Sequence, residues 1–572
     1  MINKTISEIF QEIGDILEIK DENRFKILAY HRAAQIIRNL ATDLSKTYKK
    51  DPKRILEIKG IGKDLYLKIV EIIETGKCDQ HQRLLEEIPG GVLDMLRLRG
   101  VGPKKVKMFY ITLGLKSPKE LEKACRNGKI HILPGMGERT ELSILKAIDD
   151  MQRFAKRTLM PFALEEANLM IDYMKKKKSV NNIEYAGSLR RRKETVGDID
   201  ILVAASKKDA PKIMEHFVSY DHVEEVLAHG KTKSSIVLNT GIQIDLRVVE
   251  EKSYGAALHY FTGSKAHNIA LRDRAKKKGL KVSEYGVFKG AKQIAGKTEE
   301  SVFKSVGLPF IIPELRKNDG EIEAALKDKL PKSIELKDIQ GDLHMHTNAS
   351  DGTQDLETVA ENCRKAGYKY IAITDHSKTS VIAKGLDEKK LLKQFKEIDK
   401  LNKKYKDFTI LKGCEIDILK DGKLDFSDEI LAQMDIFPAS IHSGFTTKKE
   451  KMTDRIIKAM SNPYVKIIGH PTGRLINRRD PYELDMDAII DAAKEYKVAL
   501  ELNAQPLRLD LKDIYLRRAK EKGVKITIGT DSHHTSQQIY MSYGIYMARR
   551  GWLEKKDVLN TRTLKQLLNY WK

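Results

Sequence analysis

The sequence predicts a multidomain protein with an all-α N-terminal region, an α+β middle and a C-terminal β/α barrel. A chain of 572 residues is too long for a single core, so three or four domains are expected. Apolar residues near the N-terminus recur at helical spacing, as Ile6, Ile9, Phe10 and Ile13 do, which predicts a helix over 5–18. Near the C-terminus, seven short apolar segments alternate with stretches of helical spacing. That alternation indicates repeated strand–helix units.

The composition is globular and strongly basic. Lys and Arg outnumber Asp and Glu by 104 to 81, which gives a formal net charge of +23. This balance favours a polyanionic partner, nucleic acid first, over a Lys-rich thermophile-like surface, which would carry comparable Glu. No run of about 18 apolar residues exists, the N-terminus lacks a signal-peptide pattern, and the four cysteines lack CxxC spacing. We therefore expect a cytoplasmic protein with no membrane partner.

Three Gly-x-Gly elements recur in the N-terminal region: IKGIGK at 58–63, LRGVGPK at 98–104 and LPGMGER at 133–139. Each opens a helical stretch and contains Lys or Arg. Glycine lets a backbone approach a phosphate closely, and the N–H groups of a helix N-terminus then bind it. One copy is a common helix–helix turn, whereas three copies at near-regular spacing favour contact with a DNA backbone. The predicted DNA-binding residues are Gly60, Gly62, Lys63, Gly100, Gly102, Lys104, Gly135 and Gly137.

Three carboxylates in the middle region predict a metal site. Asp198 and Asp200 stand two apart at the start of a predicted strand, so both face one side of it. A later strand, QIDLRV, adds Asp245. Three such carboxylates can hold two Mg²⁺ ions for in-line phosphoryl transfer. The GSLRRR segment at 187–192 fits a triphosphate cradle.

Together, these motifs resemble those of family X DNA polymerases of the DNA polymerase beta type. The resemblance covers residues 1–316 and is carried by GSLRR, GDIDIL, IDLR and YFTGS in order, together with the Gly-x-Gly elements, which resemble helix–hairpin–helix motifs. It implies a nucleotidyltransferase palm in which Asp198, Asp200 and Asp245 bind Mg²⁺ or Mn²⁺. The nucleotide-binding residues that it implies are Gly187, Ser188, Arg191, Gly197, Tyr260, Phe261, Gly263, Asn268 and Arg272.

Three further positions bear on the resemblance. Gln243 stands where the beta-type enzyme has an arginine, and Lys265 where it has an aspartate. Both departures bear on what the resemblance implies for primer activation and nucleotide affinity, but not on the reaction class that it implies. Lys68 matches the Schiff-base lysine of the beta-type lyase. A lysine on a helix is most often merely solvated, and a lyase needs a depressed amine pKa, which a sequence does not reveal.

The seven C-terminal strand segments run into residues that bind metals. Ligands at the C-terminal ends of parallel strands converge on one barrel mouth. Mixed imidazole and carboxylate donors suit two or three Mn²⁺, Zn²⁺ or Fe²⁺ ions, and Arg474 is a candidate phosphate ligand. Asn503 ends the sixth segment, and no role is assigned to it. His534 does not share the strand-end position of the other candidates, so it is not predicted as a ligand. The nine predicted ligands are His344, His346, Asp351, His376, Glu415, His442, His470, Asp531 and His533.

The segments DLHMHT, TDHS, SIHS, GHPTGRL and GTDSH resemble the polymerase-and-histidinol-phosphatase (PHP) domain. The resemblance implies a distorted seven-stranded β/α barrel with a 3′–5′ exonuclease, and in some members abasic-site endonuclease or 3′-phosphatase activity. The predicted domains are helix–hairpin–helix regions at 1–80 and 81–150, the palm at 151–250, a subdomain for the nascent base pair at 251–316, a linker at 317–338 and the PHP domain at 339–572.

The combined interpretation is a DNA polymerase that fills short gaps in DNA repair and trims 3′ ends. Its expected partners are gapped or primed double-stranded DNA and dNTPs, and we expect a nucleoid-associated monomer. One alternative is a DNA-binding protein whose PHP barrel is a small-molecule phosphatase or a structural module. A second is a template-independent or RNA-directed nucleotidyltransferase, which the helix–hairpin–helix elements and YFTGS disfavour.

Overall fold

The computed structural model describes residues 2–20, 22–38, 44–58, 60–96, 98, 100–155 and 157–571. They form two compact units. The first comprises Met1–Ala155 with Asn477–Arg479, and the second comprises Lys156–Ile476 with Asp480–Lys572. Lys59 and Arg99, which belong to the first two Gly-x-Gly elements, lie outside the described residues. In the described ranges, no helix is both long and apolar enough to cross a membrane.

The first unit is all-α, as the sequence predicts. Its first helix buries Ile6, Phe10 and Ile13 on one face, and the ring of Phe10 packs edge-on against Tyr30 of the second helix at 5.6 Å. The predicted helix over 5–18 lies within α1. The helices are α1 Ile2–Ile19, α2 Arg24–Arg38, α3 Leu44–Lys50, α4 Lys63–Thr75, α5 Asp79–Glu87, α6 Gly90–Leu96, α7 Pro103–Leu113, α8 Pro118–Arg126 and α9 Glu138–Ala155, with a 3-10 turn at Pro52–Ile55.

The palm begins the second unit. Its five-stranded sheet has the strand order Asn182–Tyr185, Asp198–Ala204, Gln243–Val249, Lys233–Leu238 and Val223–His229. Within this sheet only the second and third strands pair in parallel, and the short strands Thr158–Leu159 and Thr195–Val196 pair with each other outside it. Ile199, Ile201 and Val203 alternate into the core, as the strand prediction requires. The elements are β1 Thr158–Leu159, α10 Met160–Met174, β2 Asn182–Tyr185, α11 Gly187–Arg190, β3 Thr195–Val196, β4 Asp198–Ala204, α12 Ala210–Val218, β5 Val223–His229, β6 Lys233–Leu238 and β7 Gln243–Val249.

A smaller α/β part follows the palm, with its own apolar core around Phe303 and Leu271. Arg316 is fully buried there, where its guanidinium donates to Glu299 Oε1 at 2.5 Å and lies over the ring of Phe303. The elements are α13 Tyr254–Thr262, α14 Lys265–Lys277, β8 Lys281–Ser283, β9 Gly286–Lys289, β10 Lys292–Ala295 and α15 Glu299–Ser305, with 3-10 turns at Glu251–Ser253 and Pro313–Leu315.

The segment predicted as a linker is packed on both of its neighbours. It contains the short helix α16 (Glu321–Leu326) and a 3-10 turn at Leu336–Asp338. The carboxylate of Glu321 is fully buried and accepts a hydrogen bond from His267 of α14. On the other side, Lys317 pairs with Asp513 of the barrel at 2.9 Å. The segment thus has fixed contacts with both of the parts that it joins.

The C-terminal part is a barrel of seven parallel strand segments, the number that the sequence predicts. The third segment appears as two short strands, and at Gly413, between them, a side chain would collide with the carbonyls of Ile436 and Ile373. Met345 and Ser532 form a parallel bridge between the first and last segments. The strands are β11 Gly341–Asp342, β12 Tyr370–Ile373, β13 Thr409–Lys412, β14 Ile416–Asp417, β15 Pro438–Ser440, β16 Ile467–Ile468, β17 Ala499–Asn503 and β18 Ile526–Gly529.

Helices cover the outside of the barrel and connect its strands. Asp355, Asp387 and Asp485 cap three of them by accepting backbone N–H bonds in the first turn. The helices are α17 Leu356–Lys365, α18 Glu388–Lys404, α19 Asp428–Leu431, α20 Lys449–Met460, α21 Met486–Glu495, α22 Asp513–Lys522, α23 Tyr540–Arg550 and α24 Leu564–Leu568, with 3-10 turns at Val381–Ala383, Thr535–Ile539, Lys555–Asp557 and Leu559–Thr561.

Candidate active sites

The palm brings its three aspartates to one edge of the sheet. Asp198 and Asp200 lie on β4, and Asp200 stands directly opposite Asp245 in the parallel β4–β7 pairing. Burial and the neighbouring carboxylates of Asp198 and Asp245 raise the pKa of Asp200 to about 6. Divalent cations would relieve the repulsion among the three carboxylates, so these side chains fit a metal site.

Two neighbours hold Asp245. The Gln243 side-chain amide donates to Asp245 Oδ1 at 2.7 Å, and the Lys233 ammonium lies 3.1 Å from Oδ2. Burial raises the pKa of Asp245, but the bonds from Gln243, Lys233 and Ser235 outweigh it and leave that pKa below its ordinary value. Gln243 is therefore a direct neighbour of the predicted ligand, at the position where the beta-type pattern has an arginine.

The segment from Gly187 to Val196, here called the GSLRR segment, wraps over the carboxylates. Gly187 has a φ of 60° and touches Asp200, because a Cβ there would lie 2.2 Å from Asp200 Oδ2. The Arg191 guanidinium donates to the carbonyl of Thr262, immediately before Gly263. Ser188 lies on α11 within this segment, and Gly197 follows it directly before Asp198.

The remaining predicted nucleotide residues cluster around the end of α13. Tyr260 and Phe261 pack edge-on at 5.2 Å, and Arg247 lies 4.7 Å over the Phe261 ring. The Asn268 amide donates to the Tyr260 carbonyl at 2.7 Å, and Arg272 donates to the Asn268 carbonyl at 3.3 Å. Lys265 is exposed at the start of α14. The structure thus gathers these side chains beside the aspartates, while their nucleotide contacts stay predictions.

The barrel brings all nine predicted ligands together at the C-terminal ends of its strands. Three subsets each place one donor atom per residue within 4.8 Å of the others. His470, the ninth ligand, is in none of the three subsets, but its Nε2 lies 2.8 Å from Oε1 of Glu415, which belongs to one of them. The subsets are His346, Asp351, His376 and His533; His344, His346 and Asp531; and His376, Glu415 and His442.

Buried imidazole nitrogens without a hydrogen bond support the fit of the cluster to metal ions. The Nε2 atoms of His344, His346 and His442 are buried and have no hydrogen-bond partner among the described residues. They nonetheless face carboxylate oxygens, as His346 Nε2 faces Asp531 Oδ1 at 3.2 Å. Buried polar atoms without partners are costly, and a cation held between imidazole and carboxylate would satisfy them.

Sequence reasoning missed the residues that orient these ligands. Glu501 accepts a bond from His344 Nδ1 at 2.6 Å and another from the backbone N–H of His470 at 2.6 Å. Asn503, which the sequence left without a role, donates to Asp531 at 3.1 Å and to Glu501 at 3.3 Å. Glu501 stands two positions before Asn503 on one strand, and that spacing was the available signal. Such supporting bonds fix the ligand tautomer and orientation.

The Gly-x-Gly elements of the first unit share one geometry. In each, the first glycine has a φ of 100°, 79° or 73°, and the second precedes a helix. The apolar residue between them is buried, and its N–H bonds the carbonyl three residues earlier. A Cβ on Gly62, Gly102 or Gly137 would meet nothing within 4 Å, so the backbone there is open to a ligand.

Four family models match successive parts of the chain. The matches are the helix-hairpin-helix domain at 1–78, the SAM-like helix-hairpin-helix tandem at 92–150, the DNA polymerase beta thumb at 257–317 and the PHP domain at 342–505. The chain is also similar along its length to the DNA polymerase/3′-5′ exonuclease PolX of Bacillus subtilis strain 168, with 39% identity over 572 residues and 99% of each chain covered. The chain belongs to the PolX family. This confirms the resemblance and the predicted fold class.

Shorter relatives match about a third of the length of the present chain. A probable phosphatase of Thermoanaerobacter sp. strain X514 is 32% identical over 38% of the chain and 89% of its own length. A probable phosphatase of Clostridium acetobutylicum is 33% identical over 34% of the chain and 78% of its own length. PolX polymerase and PHP domains are metal-dependent, in agreement with the clusters described above.

Two predicted residues of this PolX chain have partners that the sequence does not reveal. Arg474 forms a two-pronged ion pair with Glu194 of the palm, at 2.6 and 3.0 Å, instead of facing the metal cluster. Another arginine, Arg508, lies beside the cluster, with its Nε 3.3 Å from Asp531 Oδ2. Lys68 bonds Asp64 at 2.7 Å one helical turn away and is largely covered. A phosphate role for Arg474 and a lyase role for Lys68 stay predictions.

Proposed function

We propose that this PolX chain fills short gaps in DNA at the palm aspartates and removes 3′-terminal nucleotides at the barrel cluster. The observation that carries the proposal is that one chain has two separate sets of side chains that could hold metal ions, one of carboxylates alone and one rich in imidazole. Carboxylates alone suit Mg²⁺ or Mn²⁺, and imidazole with carboxylate suits Mn²⁺, Zn²⁺ or Fe²⁺.

At the palm, the primer 3′-hydroxyl attacks the α-phosphorus of a dNTP, and pyrophosphate leaves. Metal ions held by Asp198, Asp200 and Asp245 would activate the hydroxyl and neutralise the leaving group. Ser188, Arg191 and the backbone at Gly187 and Gly197 bind the triphosphate. The remaining nucleotide contacts come from Tyr260, Phe261, Gly263, Asn268 and Arg272.

At the barrel, water attacks the terminal phosphodiester, so a nucleoside monophosphate leaves and a new 3′-hydroxyl remains. Ions held by the nine ligands would lower the pKa of that water and bind the phosphate. Arg508 lies beside Asp531, and its guanidinium is placed to hold a non-bridging phosphate oxygen. Glu501 and Asn503 orient the ligands without contacting substrate.

The probable phosphatases among the relatives favour a second activity of the same cluster. A 3′-phosphate or an abasic site would present the same phosphoester to the same ions. Removal of such blocked ends would prepare the hydroxyl that the palm extends, as gap filling in base excision repair requires. We place the protein as a monomer at the nucleoid, where its charge of +23 and the Gly-x-Gly elements hold DNA.

One labelled gapped duplex tests both activities. With Mg²⁺ or Mn²⁺ and dNTPs, the primer is expected to lengthen, and without dNTPs it is expected to shorten. Asp245→Ala should abolish extension and spare trimming, and His344→Ala should do the reverse. A primer that never shortens with any metal would exclude the exonuclease, and extension by Asp245→Ala would exclude the palm assignment.

A further inference from the structure

The barrel contacts the GSLRR segment of the palm at three neighbouring points. Arg474 pairs with Glu194, Arg550 donates to the carbonyl of Arg191 at 2.5 Å, and the Arg192 guanidinium lies 4.1 Å over the ring of Tyr546. Arg474, Arg550 and Tyr546 all belong to the barrel. Buried apolar side chains of the palm and barrel also form one contiguous cluster, so these contacts lie within a continuous packed interface.

The Glu194–Arg474 pair is built to hold position. The two guanidinium nitrogens of Arg474 reach both carboxylate oxygens, an arrangement that fixes direction as well as distance. The Arg474 side chain is only 4% exposed and also donates to the carbonyls of Arg508 and Leu509, so it is anchored in the barrel. On the palm side, the carbonyl of Glu194 accepts a hydrogen bond from the N–H of Met160. Glu194 itself lies three residues before Gly197.

Arg550 contacts the middle of the segment. Besides the Arg191 carbonyl, it donates to Asp513 at 2.7 Å, which in turn pairs with Lys317. Burial, then the charges of Arg550 and Arg316, lower the pKa of Arg191 to about 10 despite the attraction of Asp200. Burial and the nearby arginines lower the pKa of Lys193 as well. The segment therefore concentrates positive charge that a polyanion would neutralise.

We propose that the barrel is a working part of the nucleotide site, and that Arg474 and Arg550 are positioning residues which hold the GSLRR segment in its triphosphate-binding shape. This rests on the proposed role of that segment. A held segment loses less conformational freedom when the triphosphate binds, so the barrel contacts raise dNTP affinity. They touch neither the 3′-hydroxyl nor the α-phosphorus, and the chemical step should hardly depend on them.

A double-mutant cycle in the full-length protein tests the pair. Glu194→Gln keeps the shape of the side chain and removes its charge, and Arg474→Lys keeps the charge but loses the two-pronged geometry. Each change should raise the KM for dNTP about tenfold with kcat within about threefold, and the double variant should be no worse than either single one. Additive effects, or an unchanged KM, would overturn the proposal.

Two controls separate positioning from general loosening and from failure of the proposed function. Arg517→Met breaks another ion pair of the barrel, the one with Asp319, which belongs to the 317–338 segment and not to the GSLRR segment. It should leave the KM for dNTP unchanged, and an equal rise there would overturn the proposal. Asp245→Ala tests the palm itself. If it abolishes extension while the Glu194 and Arg474 variants keep the wild-type KM, only the inference fails.

Discussion

The side-chain amide of Gln243 donates a hydrogen bond to Asp245 Oδ1 at 2.7 Å, with Lys233 on the other carboxylate oxygen. Gln243 stands at the start of β7, directly opposite Asp198 in the parallel pairing. A neutral amide and a lysine from the neighbouring strand β6 thus orient the third aspartate of this palm.

Gln243→Ala should slow nucleotide insertion about tenfold, because a ligand displaced by a fraction of an ångström costs that much or more. Gln243→Arg should keep most of the activity, since it restores a donor to Asp245. Single-nucleotide insertion into a gapped duplex at saturating dNTP measures both. Trimming of 3′ ends should be unchanged in each variant, and wild-type insertion by Gln243→Ala would contradict an orienting role.

The sequence could predict some features of the two candidate sites but not others. Residues fixed by local chain geometry were predictable: Asp198 and Asp200 share a strand face, and the barrel ligands share the phase of strand ends. Contacts between distant segments were not. Arg474 follows the ligand His470 by four residues, yet its guanidinium points to Glu194, 280 residues away in the chain. Similarly, the polar composition of 317–338 suggests a linker, although Glu321 is buried against His267.

Glu501→Gln should weaken metal binding in the barrel. One carboxylate oxygen accepts from His344 and the other from the backbone of His470, and an amide can accept with only one of its two atoms. Loss of such a supporting bond typically costs tenfold to about a hundredfold in metal affinity. The Mn²⁺ concentration for half-maximal trimming should rise accordingly, with extension at the palm unchanged.

Asp435→Asn provides a matched control for Glu501→Gln. Asp435 accepts a backbone N–H from Lys412 in the barrel but takes no part in the ligand cluster. Its variant should trim with the wild-type Mn²⁺ requirement. An equal rise in both variants would mean that the barrel had simply been loosened.

The buried pair of His267 and Glu321 should make stability depend on pH. Burial and the charge of Arg316 lower the pKa of His267 although Glu321 raises it, so the imidazole stays neutral in the fold. Because the unfolded histidine protonates near its ordinary pKa of about 6.5, the fold loses stability as pH falls below that value. The loss approaches about 1.4 kcal/mol per pH unit until the folded pKa is reached.

His267→Asn removes this titration while keeping an N–H donor toward Glu321. The melting temperature of the variant should lie below that of the wild type at pH 7.5, because packing is lost, and the difference between the two should be smaller at pH 5.5. Scanning calorimetry at both pH values measures it. A difference in melting temperature that stays constant between the two pH values would contradict the prediction.

The Gly-x-Gly elements predict a separation between DNA binding and stability. At Gly102 the φ is −93° and a Cβ would meet nothing within 4 Å, so Gly102→Ala should fold normally. A methyl group there would nonetheless keep a phosphate from the N–H groups that open α7, and DNA affinity should fall several-fold without sequence preference.

Gly114, at the other end of the same helix, has a φ of 66°, so Gly114→Ala should cost about 1 kcal/mol of stability instead and leave DNA affinity unchanged. Titration of labelled duplex at several salt concentrations, beside thermal melts, measures both. The slope of log affinity against log salt should stay the same in Gly102→Ala and fall by about one in Lys104→Ala, which removes a phosphate contact. If the two glycine variants bound DNA equally well, the helix N-terminus would not be the site of contact.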